Sequence, residues 1–504
     1  MDDDRACFDE VAWDENDKAW EESRMLFRRV STLRKIESFV TQKFQRTATW
    51  VAPMIVGGYN NLYRMQIEGS DGDVMIRLPQ PSLAQFPDEK TRREAATASF
   101  IAQKTRVPVP RVLFYGLSSP DSKVEPFIII QYVENCGTMS HALAMPNEKD
   151  PSAAHMLNPD VSEDILESFY AKVAVCLLQL FKPSFSRIGS LAQTDDAFSV
   201  AGRPITQNMN NMLQLANIPR AALPPEERTY GTADEWYVAL AEMHMAQLIF
   251  QHNDLVTTAD DCRNKYVARQ LFRKLAKQGR LSTFGFAEDD WSAQSKSRRT
   301  STLSPAPDGS SSFKLWCDDL RPSNVLLDEA GDIAAMIDWE FAYVAPTQFA
   351  LDPPWWLLLN VPEMWHIDMD DWTNTYHLRL KTWLRAMERA EESLEKKSKG
   401  FALSIYMRES WETGRFWLNY AARKSWAFDS IFWKYLDESF FGSGQGHRDK
   451  QDLWKTRVHL LSERERDMME PFVERKMEES KERILVDWDD EQVKERLAEV
   501  LFDE

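Results

Sequence analysis

The sequence predicts an α+β protein of two lobes, a small antiparallel β-rich lobe followed by a large helical one. Apolar stretches of alternating character, punctuated by glycine turns, crowd into residues 50–133. From Gly137 onward the apolar residues recur instead at helical spacing. A chain of 504 residues, 43% apolar with 18 Trp, 13 Tyr and 27 Phe, is also long and aromatic enough to bury a large core.

Residues 1–22 read as an acidic tail with a short helix around Trp13 and Trp20, and Met25, Phe27, Leu33, Ile36, Phe39 and Val40 predict a helix over 24–44. Residues 1–49 are thus an acidic tail and helix. A β-branched run at 51–56 leads to the turn Gly57-Gly58-Tyr59-Asn60-Asn61. In residues 62–67, Tyr63, Met65 and Ile67 share one face, and Gly69-Ser70-Asp71-Gly72 turns the chain into 74–78 before Pro79. Three antiparallel strands result. Residues 88–105 predict a helix with Ala95, Ala98 and Ala102 on one stripe, Pro108 and Pro110 stop it, and 111–115 and 127–133 supply two more strands.

The helical lobe is expected over 134–462. Ser162-Glu163-Asp164 suits a helix start, and Leu166, Phe169, Val173, Leu177 and Leu180 follow at helical spacing. Helix is interrupted once, near 325–327 and 333–337. His252-Asn253-Asp254 reads as a helix end. Residues 292–312 hold eight Ser, two Thr and two Pro; such a composition lacks the apolar residues that repay ordering and predicts a mobile surface insertion. Residues 463–504 read as an acidic helical extension.

The net charge of −18 is uneven: residues 1–22 and 463–504 carry −8 each, leaving the middle almost neutral. The acidity therefore belongs to the ends and describes no substrate site. No run of Lys or Arg is dense enough to predict a nucleic-acid or phospholipid partner. The five cysteines, at 7, 136, 176, 262 and 317, have neither zinc spacing nor a disulfide pattern. Apolar runs fall far short of the ~18 residues of a membrane span. The acidic residues 1–5 have the wrong charge for a secretory or mitochondrial leader. A soluble, cytoplasmic protein is expected.

The chemistry concentrates in Trp316-Cys317-Asp318-Asp319-Leu320-Arg321-Pro322-Ser323-Asn324, followed by Ile337-Asp338-Trp339-Glu340. Phosphoryl transfer needs a carboxylate to accept or orient the acceptor hydroxyl and oxygen ligands for a Mg²⁺ that bridges phosphates. Asp319 lies in a loop, Asn324 at the mouth of a strand, and Asp338 at the end of the return strand. A short hairpin brings Asn324 and Asp338 to one end, where carboxamide and carboxylate can share a metal.

On these residues the chain resembles the aminoglycoside phosphotransferase (phosphotransferase enzyme) family, in particular its large fungal-type members. The resemblance covers roughly residues 50–360. It includes the Gly57-Gly58-Tyr59-Asn60 turn, Thr105-Arg-Val-Pro-Val-Pro-Arg-Val112 and Ile188-Gly189-Ser190-Leu191 as well as the two segments above. It implies a protein-kinase-like two-lobed fold binding ATP with Mg²⁺ between the lobes, and transfer of the γ-phosphoryl group to a hydroxyl of a small-molecule acceptor. By resemblance Asp319 is the catalytic aspartate within the catalytic loop 317–324, and Asn324 and Asp338 are the Mg²⁺ ligands. Gly57 and Gly58 face the phosphates, Glu94 pairs with the phosphate-binding base Arg77, and the backbone of Gln131 and Val133 holds adenine. Two positions depart from the family pattern: Cys317 stands where a His is usual, and Arg77 replaces the strand lysine. A second reading is therefore a catalytically weak pseudokinase that binds nucleotide and acts as a scaffold.

Overall fold

A computed structural model describes residues 8–502 apart from 121–123, 125, 147–154, 298–300, 308, 310–311, 395–401 and 445–448. Residues 1–5, Cys7 and the Arg298-Arg299-Thr300 part of the Ser-rich segment lie outside the described residues.

The small lobe is a five-stranded antiparallel sheet made of β1 (Ala48–Val56), β2 (Asn60–Ile67), β3 (Val74–Pro79), β4 (Val112–Gly116) and β5 (Phe127–Gln131), in the order β1-β2-β3-β5-β4. β1 starts three residues earlier than its β-branched run, because Ala48 and Thr49 pair with Ile67 and Gln66. Two helices precede the sheet, α1 (Glu10–Phe27) and α2 (Val30–Phe44). Ile36 and Val40 of α2 are buried with Tyr63, Met65, Ile76, Phe127 and Ile129. The alternating inward positions of β2 and β3 thus cover the helix's apolar stripe, each large side chain contributing about 1.5–3 kcal/mol. Helix α3 (Pro87–Lys104) crosses between the lobes, and its Lys90, Arg93 and Glu94 are buried.

Below the sheet the chain is mostly helical. The helix Ser162 caps, Glu163–Phe181, packs against the long helix Met369–Leu394. Ala233–Phe250 and Ala259–Lys277 form the buried centre. Strands appear more often than expected. Leu191–Thr194 pairs with Ala197–Val200, Val325–Leu327 with Ile333–Met336, and Lys314–Cys317 with Ala342–Ala345. The last pair joins segments some 25 residues apart, a range at which periodicity carries no signal. The architecture is the protein-kinase-like two-lobed α+β fold.

The Ser-rich segment differs from its expected mobility where it is described. Ser301 donates to Glu409, Ser304 to Glu288 at 2.8 Å, and Leu303 O accepts from Ala287 N at 2.8 Å. Serine hydroxyls aimed at fixed carboxylates supply the attachment that apolar side chains do not.

Residues 8–22 also differ from a free tail. Asp9 is fully buried and caps α1, and α1 lies on the helix Gln207–Ala216, where Asn16 donates to Gln214 O at 2.7 Å. His252-Asn253-Asp254 lies beyond the end of Ala233–Phe250, as expected, but it is also a joint. Asn253 Nδ2 donates to Asp9 Oδ2 and to Ile484 O, both at 2.9 Å. Arg483 meanwhile pairs with Asp254 and Glu10. Both ends of the chain are held at this one tripeptide. Asn253→Ala strips donors from a buried carboxylate, a loss of about 1–3 kcal/mol. A lowered urea midpoint and faster proteolysis within α1 are expected; an unchanged midpoint would show that the joint does not hold the ends.

Candidate active site

Asp319 follows the strand Lys314–Cys317 and precedes a single 3₁₀ turn, Pro322–Asn324. That turn returns the chain so that Asn324 Nδ2 donates to Asp319 O at 2.7 Å and approaches Asp319 Oδ2 at 3.3 Å. Asn324 O accepts from Ile337 N at 2.9 Å, which sets Asn324 beside Asp338 at the open end of the hairpin. The sequence placed both there. Asp338 itself takes φ = 67°, a left-handed conformation that costs a non-glycine about 1 kcal/mol and aims its carboxylate back across the cleft.

From the other lobe Arg77 reaches down from β3. It pairs with Glu94 through Nη1 and with Asp338 Oδ1 through Nη2 at 2.7 Å, and its Nη2 lies 3.9 Å from Glu340 Oε2. The expected Arg77–Glu94 pair is present. Arg77 reaching Asp338, and Glu340 taking part at all, were not foreseen. Glu340 Oε2 also accepts from Asn60 Nδ2 at 2.9 Å and pairs with Lys90, both partners fully buried in side-chain terms. Lys90 stands one helical turn before Glu94, so a shared face of α3 was readable from the i, i+4 spacing. Its partner 250 positions away was not.

Burial, aided by Asp338 and Glu340, pushes the Asp319 carboxyl up to about 6 against the pull of Arg321, whose Nε sits 3.0 Å from Oδ1. Burial also raises Asp338, yet the Arg77 guanidinium overcomes it and holds that carboxyl below its ordinary value. Glu340 is raised by burial and by Asp338. Environments that push neighbouring carboxylates apart are a means of separating a proton acceptor from a permanently ionised ligand.

The turn Gly57-Gly58 is exposed and tight: Gly57 N donates to Asn60 O at 2.8 Å, and Gln80 Nε2 to Gly57 O at 3.1 Å. The next residue, Tyr59, bonds Asn211 of the helical lobe at 3.0 Å and stands edge-on to Phe341. At the hinge, Gln131 N donates to Arg111 O within the sheet. Val133 O accepts from Asn135 Nδ2 at 2.9 Å. Val133 N donates to no group among the described residues. Cys317 is buried, its Sγ 4.0 Å from Asp338 O, and it borders a cavity of about 60 Å³ with Leu320, Trp339, Trp355 and Trp356. Burial pushes its thiol well above the ordinary range.

Among the described residues no group of three or more His, Cys, Asp or Glu forms a ready metal cage, and no helix is long and apolar enough to cross a membrane. Hard oxygen donors suited to a divalent cation are nonetheless together. Asp338 offers its carboxylate and Asn324 an amide oxygen that accepts no hydrogen bond among the described residues. Such a pair fits Mg²⁺, which takes one or two protein ligands and completes its shell from phosphate and water.

Two curated relatives are each named "Altered inheritance of mitochondria protein 9, mitochondrial". The one from Debaryomyces hansenii is 22% identical over 317 residues, 59% of this chain and 47% of the relative. The one from Clavispora lusitaniae is 27% identical over 147 residues, 29% of this chain and 22% of the relative. This chain therefore aligns with half or less of the length of either. Their names overturn the cytoplasmic expectation, which rested on the cysteine pattern, the shortness of the apolar runs and the charge of residues 1–5. Similar solved structures include a macrolide 2'-phosphotransferase type I (12% identity, 86% of this chain and 98% of that one, TM-score 0.37). A Plasmodium vivax ethanolamine kinase gives 11% identity, 87% and 93% coverage and a TM-score of 0.38. Residues 54–392, two thirds of the chain, match the phosphotransferase enzyme family, and with that match the chain belongs to this family.

Proposed function

We propose that the protein transfers the γ-phosphoryl group of ATP to a hydroxyl of a small-molecule acceptor in the cleft between the lobes. The observation that carries this reading is that Asp319, Asn324 and Asp338 of the helical lobe gather where Arg77 of β3 and Glu94 of α3 reach the cleft. Asp319 takes the acceptor's proton as the new oxygen–phosphorus bond forms and the bond to the β–γ bridging oxygen breaks, releasing ADP. Its raised carboxyl suits a base that binds and returns a proton near neutrality. Asn324 and Asp338 hold Mg²⁺, which neutralises charge on the phosphates when bound. Arg77, braced by Glu94, contacts the phosphates, the Gly57-Gly58 turn covers them, and the free Val133 N–H with the Gln131 backbone meets adenine. The names of the relatives support a mitochondrial setting for this activity.

A weak nucleotide-binding scaffold is the second reading. It is favoured by the bond from Arg77 to Asp338, which occupies the metal ligand, and by Cys317. An ATP-dependent screen of hydroxyl compounds for a mass gain of one phosphate, run beside Asp319→Ala, separates the two. The enzyme reading expects a rate lowered by about 10²–10⁴ in the variant with Mg-ATP affinity within a few-fold. Equal rates in the two proteins across the panel would establish the scaffold.

The pH dependence is set by Asp319. The acid limb of kcat/KM is expected near pH 6, the raised value of this carboxyl. The native chain keeps that proton up to about 6 whereas the unfolded chain releases it near 3.8, so ionisation of Asp319 destabilises the fold above this window. Asp319→Asn should raise the melting temperature by a few degrees at neutral pH, with the gap closing as pH falls to about 4. A variant less stable than wild type at neutral pH would contradict the assignment.

Saturating Mg-ATP should stabilise the fold by about 2.7 kcal/mol at 100 times the dissociation constant. Asp338→Asn should remove most of the resulting shift in melting temperature. An undiminished shift would exclude Asp338 as a metal ligand.

A further inference from the structure

Lys90 is not among the residues that the family resemblance assigns, yet it is among the most buried charges in the molecule, 1% exposed. Its ammonium meets Glu340 Oε2, the same oxygen that accepts from Asn60 Nδ2 at 2.9 Å and lies 3.9 Å from Arg77 Nη2. One carboxylate oxygen therefore gathers groups from α3, from the start of β2 just past the glycine turn, and from β3, the elements that bound the phosphate side of the cleft. The other oxygen of Glu340, Oε1, is buried without a hydrogen-bond partner among the described residues. The rings of Tyr59 and Phe341 lie 5.4 and 5.9 Å from the Lys90 ammonium.

A buried Lys–Glu pair is expensive, since desolvation offsets most of its attraction and an apolar pair of similar volume often serves the fold as well. Here the pair also leaves one carboxylate oxygen unsatisfied. Arg77, meanwhile, holds Glu94 with one arm and Asp338 with the other, so it turns to a phosphate only as it leaves Asp338. An ammonium is a compact point charge with three rotatable donors and suits a non-planar phosphate oxygen. Four carboxylates, Glu94, Asp319, Asp338 and Glu340, crowd this cleft, and a polyphosphate entering it needs a cation that can change partners.

We propose that Lys90 is a phosphate-binding residue of the nucleotide site, with Glu340 its resting counter-ion, displaced when the β- and γ-phosphates enter. This rests on the nucleotide reading above and adds to it a helix lysine where the strand carries arginine.

The test is a binding series with adenosine, AMP, ADP and ATP, each with Mg²⁺, measured by calorimetry on the full chain. Lys90→Met alone strands the Glu340 charge in the interior, so the informative proteins are Glu340→Gln and the double variant Lys90→Met/Glu340→Gln. Glu340→Gln frees the ammonium and should tighten ATP several-fold while leaving adenosine unchanged. Relative to that single variant, the double should weaken ADP and ATP about tenfold or more, the worth of a charge-assisted contact, again without effect on adenosine. The proposal is overturned if Glu340→Gln leaves ATP affinity unchanged or weaker. It is equally overturned if the folded double binds ATP as tightly as Glu340→Gln, or loses adenosine and ATP alike. If wild type binds none of the four, the nucleotide reading falls with it. Binding by wild type with an indifferent double removes Lys90 alone.

Discussion

The fork of Arg77 is the constraint on which the rest of the cleft depends. Its two terminal nitrogens are shared between Glu94, on a helix of its own lobe, and Asp338, on the far side of the cleft. A planar guanidinium imposes angles as well as distances, so once Glu94 fixes one arm the other can meet Asp338 only if the lobes are closed to one degree. Three neighbouring carboxylates, Glu94, Asp338 and Glu340, keep the guanidinium charged against the cost of burying it. Truncating it would leave Glu94 and Asp338 as uncompensated charges, which is why a strand arginine serves here as a hinge pin between lobes as much as a ligand.

The same cluster explains why chemically similar acids differ. Asp338 touches Arg77 and is held ionised; Asp319 pairs with the half-exposed Arg321 and is pushed up by burial and by the charge of Asp338. Moving Arg77 off Asp338 would raise Asp338 and relax Asp319, erasing the separation. A cation arriving at Asp338 can take over this role while Arg77 stays with Glu94. Cys317 bears on the same balance from below. Its Sγ is a weak hydrogen-bonding group, and the cavity beside it leaves the loop under Asp319 without the packing that a larger side chain would give.

The small lobe was readable because its signals are local: alternation over six to eight residues, glycine turns and paired prolines fix strands whose partners are neighbours in sequence. The Asn324–Asp338 juxtaposition was readable for the same reason, since a single short hairpin joins them. The Lys90–Glu340 pair, the Arg77–Asp338 bond and the ladder of Lys314–Cys317 with Ala342–Ala345 bring together segments that periodicity treats separately. The acidic ends misled in a different way. Net charge counts Asp9 as a solvated acid, whereas it is a buried cap satisfied by Asn253. Serine content likewise counts Ser301 and Ser304 as coil formers, although in the structure their hydroxyls are anchors.

The docked ends also carry meaning for the cleft. Phe8 stacks on Trp426 at 4.8 Å, two positions from Lys424, whose ammonium bonds Gln207 Oε1 at 2.8 Å and whose charge acts on Asp319. Helix α1 lies along Gln207–Ala216, and Asn211 of that helix holds Tyr59 beside the glycine turn. Asp9 and Arg483 tie this arrangement to residues 253–254. The N-terminal helix is therefore the outer support of the segment that faces both the catalytic loop and the turn over the phosphates. The charge that composition assigns to a tail is, at Asp9, hydrogen-bonded by Asn253 and, at Glu10, paired with Arg483, in the service of positioning that wall.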